Sequence, residues 1–153
     1  MFYPQSGSRT TFKWPTNRQL RINGCLTREL LAVPDCFDSS GAPCFLVMKD
    51  GNTTDLTVGR YSGLEAYLCD GLGVESIEFA IYNYDNQSGP FSLKGDSGSL
   101  VFDGQGRRVG ILHSGMLKGR GNMYNVTYAT PAWWAIEQIK RKYPHADFNR
   151  ATF

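Results

Sequence analysis

The sequence predicts a mainly β domain of about six or seven short strands, arranged as a barrel or sandwich and ending in one helix. Three observations predict it. From Cys44 onward, runs rich in β-branched and aromatic residues recur at short, regular spacing. Clusters of Gly, Asp, Asn, Ser and Pro separate them, and these are the residues from which turns are made. The last apolar run, "PAWWAIEQIKRKYP", carries helix start and stop signals instead.

The elements follow in order. Residues 1–43 are proline-punctuated and irregular, and read as an N-terminal extension or interdomain segment. Within them "TRELLAV" predicts a short helix that starts at Thr27 and is stopped by Pro34. "DSSGAP" (38–43) is a loop by composition. Residues 44–153 form the domain proper. "CFLVMK" (44–49) is a strand and "DGN" a hairpin turn. "TTDLTVGRYSG" (53–63) and "GLEAYLC" (63–69) read as two further strands. "SIEFAIYNY" (76–84) nearly alternates, and "NQSGP" turns. "GSLVF" (98–102), "RVGILHS" (108–114) and "MYNVTYAT" (123–130) complete the set, with "DGQGR" as the turn after the first of these.

In the closing helix Pro131 is expected at the first helical position, behind Thr130 as cap. Trp134, Ala135, Ile136 and Ile139 share a face, and Trp133 and Trp134 are expected to pack. Lys140, Arg141 and Lys142 lie at the C-terminal end, where the helix dipole favours cations, and Pro144 stops the helix.

Composition excludes several classes. The formal net charge is +2 over 153 residues. The densest cations, Lys118, Arg120 and Lys140–Lys142, read as solvated turn and helix faces, so no nucleic-acid partner is expected. There is no apolar run of about 18 residues, so no spanning helix and no membrane partner are expected. The N-terminus "MFYPQSGSRTTFKWP" is polar and extended and has no signal-peptide pattern, which favours an intracellular protein over a secreted one. Cys25, Cys36, Cys44 and Cys69 match no zinc spacing; disulfides stay open to them, and without a signal-peptide pattern buried thiols are the simpler reading. No metal and no cofactor are expected. The sequons at Asn52, Asn86 and Asn125 would matter only in a secreted chain.

One stretch could carry chemistry: "KGDSGSLVFDGQGRRVGILHSG" (94–115). A serine hydroxyl is a weak nucleophile and must project from a tight turn. Gly95 would let the backbone fold closely, so that the Gly95 and Ser97 amides converge on a developing oxyanion. Gly98 would leave room behind Ser97. Asp96 would turn inward, held by backbone or a buried cation, and lock the loop. Read blandly, "GDSGS" is only a polar turn.

The neighbouring motifs resemble a family. "GDSGS" followed by "LVFDGQGRRVGILHSG" is similar to the C-terminal barrel of the trypsin/chymotrypsin-like serine peptidases, and "VTYATPAWWAIEQI" (126–139) fits its last strand and terminal helix. With "MKDGNTTDLTVGRYSGLE" added, the chain resembles a group of fungal proteins carrying a trypsin-like domain. The resemblance implies a six-stranded antiparallel Greek-key barrel, the C-terminal half of a double barrel. It implies Ser97 as nucleophile, Gly95 and Ser97 as the oxyanion-hole amides, and Asp96 and Gly98 as structural loop residues. It implies that His113, Ser114 and Gly115 line the specificity pocket and hold extended substrate. The pocket floor is expected near Phe91–Lys94.

The family pattern also needs a histidine and an aspartate ahead of the serine. The only histidines, His113 and His145, both follow Ser97. Asp35, Asp38, Asp50 and Asp55 precede it in loop-like contexts, with no histidine to orient. The resemblance therefore implies a serine endopeptidase-like protein whose base lies in an absent N-terminal barrel, inactive alone. Its partners would be a polypeptide substrate, the missing barrel, or a second copy meeting the exposed barrel face. The competing reading is a non-catalytic module that binds extended peptides or a protein partner.

Overall fold

The computed structural model describes residues 16–149, apart from 18, 39, 70, 86 and 118–123. The polar N-terminal segment 1–15, the sequon residue Asn86, and Lys118 and Arg120 lie outside the described residues. Among the described residues the chain is mainly β: seven antiparallel strands in one sheet, and two helices.

Helix α1 (Arg28–Leu31) begins where expected, with the Thr27 side chain accepting from the Leu30 amide. The strands are β1 (Cys36–Phe37), β2 (Pro43–Gly51), β3 (Asp55–Cys69), β4 (Glu75–Asn83), β5 (Leu100–Asp103), β6 (Arg108–Leu117) and β7 (Tyr124–Pro131). Helix α2 (Ala132–Lys142) closes the order. Strands follow in the sequence β1-β2-β3-β4-β7-β6-β5, and β5 also pairs with β2. Six strands are therefore linked in a closed ring of pairings.

The two strands expected over 53–69 are one. β3 runs unbroken, with a register shift against β4 between Tyr61 and Glu65. Gly63 sits inside that shift at φ +83. The glycine that suggested a strand boundary instead allows a bulge.

Alternation places Phe45 and Val47 of β2, Tyr61 of β3, Phe79 and Ile81 of β4, and Ala129 of β7 in one buried core. Leu26 and Leu31, from the stretch read as an N-terminal extension, belong to the same core. Residues 24–26 are held down by backbone. Leu26 donates to the Arg108 carbonyl at 2.9 Å and Arg108 to the Gly24 carbonyl at 3.2 Å. The Arg108 guanidinium adds bonds to the Gly24 carbonyl, the Asn149 side chain and the Phe148 carbonyl.

The helix start differs from expectation. Pro131 ends β7 and takes the cap position at ψ 126, with no side-chain capping bond, so Thr130 is not the cap. The packed side differs too. Ala132 is buried and Trp133 packs on the core, whereas Trp134 and Ile139 are 46% and 39% exposed. A helix that leaves β7 without a spacer residue has its first turn fixed by the strand, so Ala132 and Trp133 meet the core first. Tyr143 at ψ 80 ends the helix ahead of Pro144, outside the α region that is disfavoured before a proline. Of the cysteines, Cys36 and Cys44 are buried, Cys25 is half-buried, and Cys69 is exposed, contrary to expectation.

Candidate functional site

The loop from Leu93 to Ser99 is two successive turns. The Asp96 amide donates to the Leu93 carbonyl at 3.1 Å, and the Ser99 amide to the Asp96 carbonyl at 3.1 Å. The third residue of each turn is a glycine with positive φ, Gly95 at +108 and Gly98 at +89. A type II turn requires that sign there, and side chains other than glycine's oppose it. Between the glycines the loop alternates: Asp96 is fully buried and Ser97 exposed.

Asp96 is held from all sides. Its Oδ1 accepts from the amides of Thr53 (2.7 Å) and Thr54 (3.2 Å). Its Oδ2 accepts from the Leu93 amide (3.0 Å) and the Thr54 hydroxyl (2.7 Å). Lys49 Nζ lies 3.3 Å from Oδ2, and both side chains are completely shielded from solvent. Burial alone would raise the Asp96 pKa. The amides, the hydroxyl and the Lys49 charge outweigh it and hold the carboxyl well below the usual carboxylate range. Burial pushes the Lys49 ammonium down, and Asp96 opposes that shift. Lys49 also bonds the Thr54 hydroxyl and, at 3.1 Å, the Asp55 carbonyl.

The turn between β2 and β3 is thereby fastened to the serine loop. The Thr53 hydroxyl adds a bond to the Lys94 carbonyl at 3.0 Å. Gly51 makes room for the pair, because a Cβ there would meet Asp96 Oδ1 at 2.5 Å and Lys49 Nζ at 2.8 Å. The expected buried cation is Lys49. Its identity was readable: it shares the strand phase of Phe45 and Val47, so a lysine stands on a core-facing position. A fully buried lysine requires a buried acceptor.

On its other side the loop is tied to β6. Gly98 donates to the Leu112 carbonyl at 2.8 Å, and Leu112 to the Ser99 carbonyl at 2.9 Å. The Ser97 hydroxyl donates to the backbone carbonyl of His113 at 3.2 Å. The register between β6 and β7 shifts between Leu112 and Ser114, so His113 is the bulged residue. Bulges re-aim side chains beside active sites. The His113 imidazole is exposed and its Nδ1 lies 2.9 Å from Ser114 Oγ, so it engages its neighbour and not Ser97. His145 is exposed, beyond α2.

No family model matches the chain, and no curated protein matches it.

The structure therefore brings Gly95, Asp96, Ser97, Gly98 and the His113–Ser114 bulge together. It does not bring an imidazole to the serine. Among the described residues, the Gly95 and Ser97 amides donate no hydrogen bond, unlike those of Asp96, Gly98 and Ser99. Phe91 and Ser92, expected at a pocket floor, point into the interior. Phe91 is 1% exposed, and Ser92 Oγ bonds Thr127 Oγ1 at 2.7 Å. Gly115 stands opposite Thr127 on β7. Three of the four upstream aspartates are otherwise engaged. Asp38 pairs with Arg60, Asp35 with Arg107, and Asp55 lends its carbonyl to Lys49. Among the described residues no group of His, Cys, Asp and Glu could hold a metal ion.

Proposed function

We propose that this chain is the C-terminal barrel of a chymotrypsin-like serine endopeptidase-like protein, with Ser97 as nucleophile and the base supplied from outside the chain. The observation that carries the reading is the buried Asp96–Lys49 pair, which holds the serine loop by five contacts while Ser97 stays exposed at its tip. A polar turn of no consequence has no reason to bury two charges, since desolvation costs several kcal/mol per ion. The ring of strand pairings supports a six-stranded barrel. β5 returning beside β2 after the run β2-β3-β4 supports a Greek-key connection, for which the order is 4-1-2-3.

In this reading the Gly95 and Ser97 amides form the oxyanion hole. An imidazole brought by a second folded unit takes the Ser97 proton as its Oγ attacks the scissile carbonyl, and an aspartate there orients it. Extended substrate pairs with the edge beside Ser114 and Gly115. Without that base the chain is inactive, because loss of one triad member removes several orders of magnitude in rate.

One observation favours the second reading, a non-catalytic module that binds peptide or a protein partner. The Ser97 hydroxyl is spent on a backbone carbonyl, and the nearby imidazole is spent on Ser114. The intact mass of the natural protein bearing the "GDSGSLVFDGQGR" peptide separates the two. A mass well above 17.1 kDa, with a histidine-bearing barrel ahead of this one, supports the peptidase. A mass equal to this chain's, with no histidine-supplying partner recovered, favours the module.

A further inference from the structure

Cys36 and Cys44 stand directly opposite each other on antiparallel β1 and β2. Residues paired in this way carry their side chains on the same face, and both cysteines belong to one small buried cluster with Leu46. The pairing type follows from the turn beyond them. Asp38 donates to the Ala42 carbonyl at 2.9 Å, so that pair is hydrogen-bonded. Alternation makes Phe37–Pro43 non-hydrogen-bonded, which suits a proline, and Cys36–Cys44 hydrogen-bonded again. Such a pair has Cα atoms about 5.5 Å apart, inside the range of about 4.4–6.8 Å that a disulfide spans. Both cysteines are thiols in this structure.

We propose that Cys36 and Cys44 form a redox pair, joined by a disulfide in the presence of a small-molecule disulfide and clipping the edge strand β1 onto β2. Cys36 reacts first. It lies on a two-residue edge strand that needs only local fraying to open, whereas Cys44 is 1% exposed. Burial also pushes the Cys44 thiol up to about 11, so its thiolate is scarce. The Cys36 thiolate attacks the reagent, forming a mixed disulfide and releasing one thiolate. The Cys44 thiolate then attacks Cys36 Sγ and releases the second. The two cysteines lose two protons and two electrons, and the reagent leaves as two thiols. The clip closes the Asp38–Ala42 loop and fixes the segment that seats Leu26 and Leu31.

The test uses the whole chain and glutathione disulfide, followed by alkylation and trypsin. Residues 29–49 form a single tryptic peptide holding both cysteines. The expected result is that peptide two hydrogens lighter and unalkylated, restored to double alkylation by dithiothreitol. Cys36→Ser and Cys44→Ser should each abolish the mass loss. The wild-type measurement stands alone if either variant fails to fold. Exposed Cys69 reports that the reagent has acted. A peptide alkylated at both cysteines while Cys69 is modified overturns the proposal. So does a mixed disulfide on Cys36 that persists unclosed, or a bond from either cysteine to Cys25 or Cys69.

Discussion

Lys49 and Asp96 meet 3.3 Å apart with no solvent access to either, and so join the second strand of the sheet to the loop that presents Ser97. The pair is forty-seven residues apart in sequence (96 − 49). A charge buried without its partner is far costlier than the pair itself. Lys49→Met and Asp96→Ala should each destabilise the chain by about 3–5 kcal/mol. The double variant should lose less than the sum of the two, since each single change strands the other charge. Urea unfolding of the four proteins measures this, and strict additivity would contradict it.

Acid should release the same lock. The folded-state pKa of Asp96 is depressed, so the unfolded chain takes up a proton at a higher pH than the folded one. This group's contribution is complete above its ordinary value of about 3.9 and is lost as pH falls below it. Asp38 is also depressed, chiefly by its bond with the Ser40 hydroxyl, and adds a parallel slope. The Asp96 share is therefore read as a difference. Between pH 6 and pH 3 the wild type should lose more stability than Asp96→Asn.

Gly51 tests the space around the pair. Gly51→Ala drives a methyl group against Asp96 Oδ1 and Lys49 Nζ and should cost about 1–3 kcal/mol. Gly71 has nothing within 4 Å of an added Cβ. Gly71→Ala should change stability by less than about 0.5 kcal/mol. Thermal unfolding of both variants supplies the comparison.

The two adjacent tryptophans should part company. Trp133 packs on the core and Trp134 is 46% exposed. Trp133→Ala should cost on the order of 3 kcal/mol, and Trp134→Ala less than about 1. Equal losses would mean that α2 is rotated from the position described.

Much of this was legible in the sequence because it is local. The apolar run "CFLVMK" and the near-alternation of "SIEFAIYNY" placed β2 and β4 to within a residue or two, and Thr27 announced α1 by its own side chain. The inward turn of Asp96 followed from the demands of the loop. What was not legible depends on distant partners. Gly63 reads as a break and serves as a bulge, because only pairing with β4 decides which. The strand ring depends on β5 lying beside β2, a pairing that no local pattern encodes. His113 reads as a pocket residue, yet the register shift that turns its carbonyl towards Ser97 arises from β7. The face of α2 was misassigned because the strand before it, and not the helix's own apolar stripe, sets its rotation.

The most direct test of the central claim is labelling by a serine-directed fluorophosphonate. It is applied to the natural protein and to this chain alone, each beside its Ser97→Ala variant. The account predicts label on Ser97 in the natural protein, none in the variant, and only trace label in the isolated chain, whose serine has no imidazole. Absence of Ser97 label from a natural protein that carries a second, histidine-bearing barrel would contradict it.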